Sequence, residues 1–205
     1  METLSSCPLC NSQSLVHFLE CKDYTVSKEN FTIMQCGSCA FRFTNPRPEE
    51  AKAGAFYQSD DYISHSNTSK GLINGLYQKV RKITLKRKLK LVVNASKKEQ
   101  GSLLDLGCGT GEFLNTCKQS GWAVKGIEPS ASAREFASKK YDLDIKDAGE
   151  WRAFGDKTFD AVTAWHVLEH VYDLEGTVKQ VKRMLNPNGA FVVALPNCSS
   201  ADAFD

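Results

Sequence analysis

The chain has 205 residues, 26 Lys and Arg against 24 Asp and Glu, a formal net charge of +2, 41% hydrophobic residues and eight cysteines. This is enough apolar material for one sizeable α/β core and a small lobe, and the near balance of charge excludes a general nucleic-acid binder. No run is long and apolar enough to span a membrane, and Met1 to Ser6 lacks a secretory signal, so the cysteines are expected in a reducing, cytoplasmic setting.

The chain opens with two C-x-x-C knuckles, Cys7-Pro8-Leu9-Cys10 and Cys36-Gly37-Ser38-Cys39, separated by a strand-rich stretch. Each knuckle brings two thiolates to one ion, and the four together close a tetrahedral site, so the pattern predicts structural zinc in a ribbon-like head over residues 1–46. A disulfide pair or unrelated buried thiols is the competing reading. Cys21, Cys108, Cys117 and Cys198 lack ligand spacing.

Residues 47–100 form the connection. Asn45-Pro46-Arg47-Pro48 predicts a rigid turn out of the ribbon, and Phe56 to Tyr62 a linking segment. Leu76, Val80, Ile83, Leu85, Leu89 and Val92 recur near helical spacing, which predicts an amphipathic helix covering the core. Its solvated face would carry Lys79, Arg81, Lys82, Lys86, Arg87, Lys88 and Lys90. Those charges also fit a surface that recruits RNA, anionic lipid or a phosphorylated substrate.

The third part, residues 101–205, starts with the most informative run in the chain. Ser102 to Leu106 is strand-like, Gly107, Gly109 and Gly111 allow a tight turn and close ligand approach, and Phe113, Leu114 and Cys117 give the next helix an apolar face. A dinucleotide fingerprint is G-x-G-x-x-G, whereas the spacing here is Asp105-x-Gly107-x-Gly109-x-Gly111. Cys108 is either a nucleophile or a small residue packed under the loop. Val124 to Ile127 predicts a second strand ending at Glu128, followed by a helix with Ala133, Phe136 and Ala137 and a short strand over Leu143 to Ile145.

Phe159 to Ala164 predicts a further strand, running into a turn with His166, Glu169 and His170. Asp173 caps a helix with apolar Leu174, Val178, Val181 and Leu185. Asn186 to Gly189 is a turn, and Ala190 to Leu195 fits a strand buried on both faces. Strands alternating with helices imply an α/β fold with a doubly wound, mostly parallel sheet and ligands at the carboxyl ends of its strands.

The Asp-x-Gly-x-Gly-x-Gly loop, the acid at Glu128, Asp147-Ala148 and the Phe159-Asp160-Ala161-Val162…Leu168-Glu169-His170-Val171 run resemble, in order and spacing, the class I S-adenosylmethionine-dependent methyltransferases. The resemblance implies S-adenosyl-L-methionine as cofactor. By it, Asp105, Gly107, Cys108, Gly109 and Gly111 approach the methionine part, and Glu128 with Pro129 meets the ribose. Asp147 and Ala148 lie beside the adenine, with Asp144 as the alternative contact, and Ala164 and Trp165 lie near the methionine part. His166 and His170 are the candidate general bases, although the turn that holds them is equally readable as a structural cap; Glu169 is read as structural.

The four-cysteine head, the N-P-R-P run and the tyrosine-bearing linker before this core resemble a bacterial group of zinc-headed methyltransferases, some of which act on sugars attached to nucleotides. That likeness implies a small or carrier-linked acceptor, such as a sugar nucleotide or polysaccharide precursor, with Tyr57 or Tyr62 closing over the cofactor or merely pinning the linker. An RNA methyltransferase using the basic helix, or a non-catalytic module, are the alternatives. The family's sheet ends in an antiparallel hairpin whose last strand inserts beside the fifth, and Pro196 to Asp205 cannot supply it. The expectation is a truncated core with the cofactor half of its pocket intact.

Overall fold

The first knuckle precedes, and the second connects β2 to β3 within, a three-stranded antiparallel sheet of β1 (Leu15–Lys22), β2 (Asn30–Cys36) and β3 (Arg42–Thr44), in the order β1-β2-β3. Asp23 builds the hairpin loop: its carboxylate accepts from the N–H groups of Val26 and Ser27 at 3.1 and 2.7 Å, while its own N–H closes onto the carbonyl of Glu29. The computed structural model describes residues 1–24, 26–57, 72–198 and 200 and divides into two units, Met1–Gly71 and Leu72–Asp205.

The N-P-R-P run turns back on the lobe. The Asn45 side chain accepts from the N–H of Leu4 and donates to its carbonyl, at 2.8 and 3.0 Å, and Arg47 pairs with Glu2 through backbone and guanidinium. A short helix α1 (Glu50–Ala53) and a 3-10 turn (Gly54–Tyr57) follow, with Phe56 edge-on to Phe31. Among the described residues of this unit, the only buried hydrophobic side chains are those of Cys7 and Cys36. A lobe with so little apolar core needs another staple.

The second unit begins with helix α2 (Leu72–Ser96) and continues as β4 (Ser102–Leu106), α3 (Glu112–Gln119), β5 (Ala123–Ile127), α4 (Ala131–Tyr141), β6 (Ile145–Lys146), β7 (Phe159–Trp165), α5 (Leu174–Met184) and β8 (Leu185–Ala194). Its five strands are parallel in the order β6-β5-β4-β7-β8. Val92 of α2, Phe113, Leu114 and Cys117 of α3 and Ala137 of α4 pack on one face with Leu103 and Ala161. Val181 and Met184 of α5 pack on the other with Leu104, Leu106, Val162 and Ala164. The sheet is therefore doubly wound, as the alternation of elements predicts. No helix among the described residues is long and apolar enough to cross a membrane.

Four local expectations need correction. The strand placed over Leu143 to Ile145 is Ile145–Lys146; Leu143 is a buried plug beneath Gly111 instead. Helix α5 buries Thr177, Val181 and Met184, leaving Val178 44% exposed, and Leu185 has already left the helix. Strand β8 starts at Leu185, loops out over Asn186 to Gly189, and rejoins β7 at Ala190; its residues are half-buried because it lies at the edge of this sheet.

The largest correction concerns α2, which goes with the second unit. Its inner stripe is Arg81, Leu85, Lys88, Leu89 and Val92, spaced as one helical face, while Val80 and Ile83 are 53% and 52% exposed. Two of the seven basic residues thus leave the predicted solvated face. Lys79, Lys82, Lys86, Arg87 and Lys90 remain on it.

Candidate functional site

The register aligns the carboxyl ends of three central strands. Leu106 of β4 stands opposite Ile127 of β5 and Ala164 of β7, so Gly107, Glu128 and Trp165 follow at one edge of the sheet. Gly107, Gly109 and Gly111 all have positive φ, at +65°, +54° and +79°. At Gly107 an added Cβ would meet Val167, and at Gly111 it would meet Leu143 and Ala137, whereas at Gly109 it would have no atom within 4 Å. The loop is packed at both ends and open in the middle.

Glu128, only 5% exposed, braces that opening. One carboxylate oxygen accepts from the N–H of Gly109 at 2.8 Å and the other from the N–H of Ser130 at 2.9 Å. A carboxylate has about four lone-pair positions, so acceptor capacity for two hydroxyls remains. Arg134 locks the acid's backbone, donating to the carbonyls of Glu128 and Pro129 at 2.7 and 2.8 Å, and it pairs with Asp147 at 2.8 Å. Ala148 lies in the exposed turn beside Asp147, while Asp144 pairs with Lys125 and Lys146.

Asp105 lies on the face of the sheet that carries α2 and α3 and is 2% exposed. The Thr163 hydroxyl donates to it at 2.5 Å. Burial pushes its carboxyl up to about 7, against the opposing pull of Thr163 and of the Lys88 ammonium. Burial in turn pulls the Lys88 ammonium down. Cys108 packs its sulfur against Gly126, and burial drives its thiol far above the ordinary range, which leaves a packed thiol and no nucleophile.

Helix α2 reaches the site twice. Arg81 pairs at 2.8 Å with Glu112, which also accepts from the Thr110 hydroxyl at 2.6 Å and so ties α2 to the glycine loop. Lys88 stands 4.5 Å from the centroid of the Trp165 ring, and Phe113 packs edge-on against the same ring. Among the described residues, the indole Nε1 atoms of Trp122 and Trp165 are the buried side-chain polar atoms without a hydrogen-bond partner.

His166 follows β7 with φ +59°, an uncommon value for a residue with a side chain. Its N–H donates to the carbonyl of Ala194 at 3.0 Å, its ring is exposed, and Nδ1 lies 3.4 Å from Glu169. His170 ends the 3-10 turn Leu168–His170 and is exposed. Tyr62 lies outside the described residues.

In the first unit the Sγ atoms of Cys7, Cys10, Cys36 and Cys39 all lie within 4.8 Å of one another, with Cys7 to Cys39 at 3.7 Å and Cys10 to Cys36 at 3.6 Å. Sulfurs around a tetrahedral zinc at about 2.3 Å stand roughly 3.8 Å apart, so the set fits a zinc-binding head. The two knuckles repeat one another: the N–H of Leu9 points at Cys7 Sγ and that of Ser38 at Cys36 Sγ, each at 3.4 Å. The N–H of Cys39, partly offset by burial, holds the Cys36 thiol down to about 6.

Arg134 and Thr163, next to the candidate site of the second unit, are not among the candidates that the sequence offers, and Arg81 and Lys88 are read there only as part of the solvated basic face. For Lys88 a signal existed, its spacing of three and four from Leu85 and Val92; Arg134 and Thr163 act through partners remote in sequence.

A protein-family model described as a methyltransferase domain matches residues 77–205. The ubiquinone biosynthesis O-methyltransferase of Bradyrhizobium diazoefficiens is 34% identical over 100 residues, covering 46% of this chain and 40% of that protein. A sterol 4-C-methyltransferase of Caenorhabditis elegans is 29% identical over 98 residues, covering 44% and 29%. The solved structure of an S-adenosylmethionine-dependent methyltransferase from Archaeoglobus fulgidus shares the fold with a TM-score of 0.50 at 23% identity, covering 60% of this chain and 57% of that one. The chain spans about two-fifths of the length of the ubiquinone O-methyltransferases that it matches.

Proposed function

Because the chain belongs to the methyltransferase-domain family, we propose that its second unit binds S-adenosylmethionine on the glycine loop and methylates a small-molecule or carrier-linked acceptor. The observation that carries this reading is the open position at Gly109 beside the braced, buried carboxylate of Glu128. Glu128 takes the ribose hydroxyls, the backbone of Gly107 to Gly111 takes the methionine part, and Asp147 with Ala148 flanks the adenine. The cofactor supplies a methyl group activated on a sulfonium. The chain's own work is to hold that end of the ligand at the edge of the sheet and to present the acceptor in line.

His166 is the residue we assign to proton removal from the acceptor, with Glu169 at its Nδ1; its strained backbone keeps the exposed ring at the strand end. His170 is the second candidate. The small-molecule class of acceptor is supported by the names of the relatives, a ubiquinone-pathway and a sterol methyltransferase.

For the first unit we propose one structural zinc held by Cys7, Cys10, Cys36 and Cys39, the staple for a lobe with almost no apolar core. Four thiolates leave no open coordination position, so this zinc takes no part in the transfer.

The test is equilibrium binding of S-adenosylhomocysteine and of NAD to the zinc-loaded chain. The proposal expects saturable binding of the first and none of the second. Binding of NAD alone would return the loop to the dinucleotide class.

A further inference from the structure

Helix α2 has an outward face as ordered as its inner one. Lys79, Lys82, Lys86 and Lys90 are exposed and follow one another at spacings of three, four and four, which makes one row spanning about 16 Å of the helix. Beside it runs a second row of the same spacing, Val80, Ile83, Arg87 and Leu91, whose three aliphatic side chains are 53%, 52% and 54% exposed. Among the described residues none of these five cations has an ion pair; the pair that α2 makes there belongs to Arg81 on its inner stripe. No acid occurs from Leu72 to Ser96. The whole chain has a formal charge of +2 and α2 carries seven cations, so the remainder is net negative. An anionic partner is attracted to this face and repelled by the rest of the chain.

We propose that this outward face of α2 docks on the surface of an anionic lipid bilayer, with the helix lying along the interface. The inference is independent of the cofactor reading above. Charge selects the sign of the partner, and the aliphatic row selects its class. A nucleic acid would use the cations alone: residues 78–96 hold no aromatic side chain on which a base could stack, and Val80, Ile83 and Leu91 would face a polar backbone. A bilayer surface uses both rows. Its phosphates meet the ammonium groups, while the aliphatic side chains enter the boundary between headgroups and acyl chains and the lysine stems lie over it. The inner stripe of Leu85, Leu89 and Val92 stays packed on the core throughout, so docking costs the second unit none of its fold.

The experiment is cosedimentation of the full chain with two kinds of vesicle at about 0.1 M salt, phosphatidylcholine alone and equal parts of phosphatidylcholine and phosphatidylglycerol. The wild type is expected to sediment with the anionic vesicles and to stay in solution with the neutral ones. Each cation near an anionic surface is worth about a fivefold change in partition, so Lys82→Gln, Lys86→Gln and Lys90→Gln combined should weaken binding by about a hundredfold. Ile83→Ser with Leu91→Ser should weaken it by about tenfold while leaving any binding of a short single-stranded RNA, followed by fluorescence anisotropy, unchanged. All five positions are exposed, so both variants should melt at the temperature of the wild type. A wild type that ignores the anionic vesicles, or that partitions equally onto both kinds, overturns the proposal. So does a triple glutamine variant, or a double serine variant, that binds as the wild type does. RNA that displaces the chain from the anionic vesicles and binds through the same lysines would give this face to nucleic acid instead.

Discussion

Thr163 and Asp105 face each other across β7 and β4, and the hydroxyl of the first donates to the buried carboxyl of the second at 2.5 Å. This pair joins the two strands whose ends form the site. Burial lifts the Asp105 carboxyl to about 7, far above the value near 3.9 that it has in an unfolded chain.

Between those values the folded state holds a proton that the unfolded state has lost, so stability declines as the pH rises from about 4 to about 7. Asp105→Asn removes the titration. The melting temperature of the ligand-free wild type should therefore fall more than that of Asp105→Asn between about pH 5 and about pH 8. Parallel profiles would show that the carboxyl titrates at its ordinary value.

The glycine loop predicts an asymmetry between two substitutions. Alanine in the left-handed region costs about 1–2 kcal/mol at either Gly107 or Gly109. At Gly107 the new methyl also meets Val167 at 2.6 Å, whereas at Gly109 it enters open space. Gly107→Ala should lower the melting temperature more. Gly109→Ala should fold well and lose affinity for S-adenosylhomocysteine, which thermal melts and titrations on both variants would separate.

The glycine loop, Glu128 and the cysteine knuckles were legible in the sequence because each is a local pattern whose spacing has a chemical meaning. The inner face of α2 was not. That helix carries two apolar stripes, one with Val80, Ile83 and Leu91 and one with Leu85, Leu89 and Val92, and only the packing shows that the second is buried. Choosing between them would have placed Arg81 and Lys88 inward. Arg134 was illegible for a different reason: its importance comes from gathering Glu128, Pro129 and Asp147 around one guanidinium, which no spacing rule encodes. The two-residue β6 is too short for a periodicity to locate it.

Asp160 holds the opposite end of the sheet. It accepts from Lys98 at 2.6 Å, from the N–H of Ser102 at 2.9 Å and from Asn186 at 2.9 Å. Burial would raise its carboxyl, but these donors outweigh it and hold the group well below the usual carboxylate range. Its stabilising effect is present above about pH 4 and is lost as the pH falls below that. Asp160→Ala strands the Ser102 N–H and should cost about 1–3 kcal/mol in urea titrations at neutral pH. A change within about 0.5 kcal/mol would mean that water replaces the carboxylate without loss.

The cysteine lobe should contain about one equivalent of zinc by elemental analysis. Cys36→Ser should release it and unfold β1 to β3, while S-adenosylhomocysteine still binds the second unit. Loss of both metal and ligand binding in this variant would show one folding unit where the chain divides into two.

The most direct test of the account is titration of S-adenosylhomocysteine into the wild type and Glu128→Ala. The carboxylate that braces Gly109 is also the proposed ribose acceptor, so binding in the wild type should weaken by about a hundredfold to ten-thousandfold in the variant, the range of two hydrogen bonds to a charged group. A folded wild type that shows no binding, or a Glu128→Ala that binds as tightly as the wild type, would contradict it.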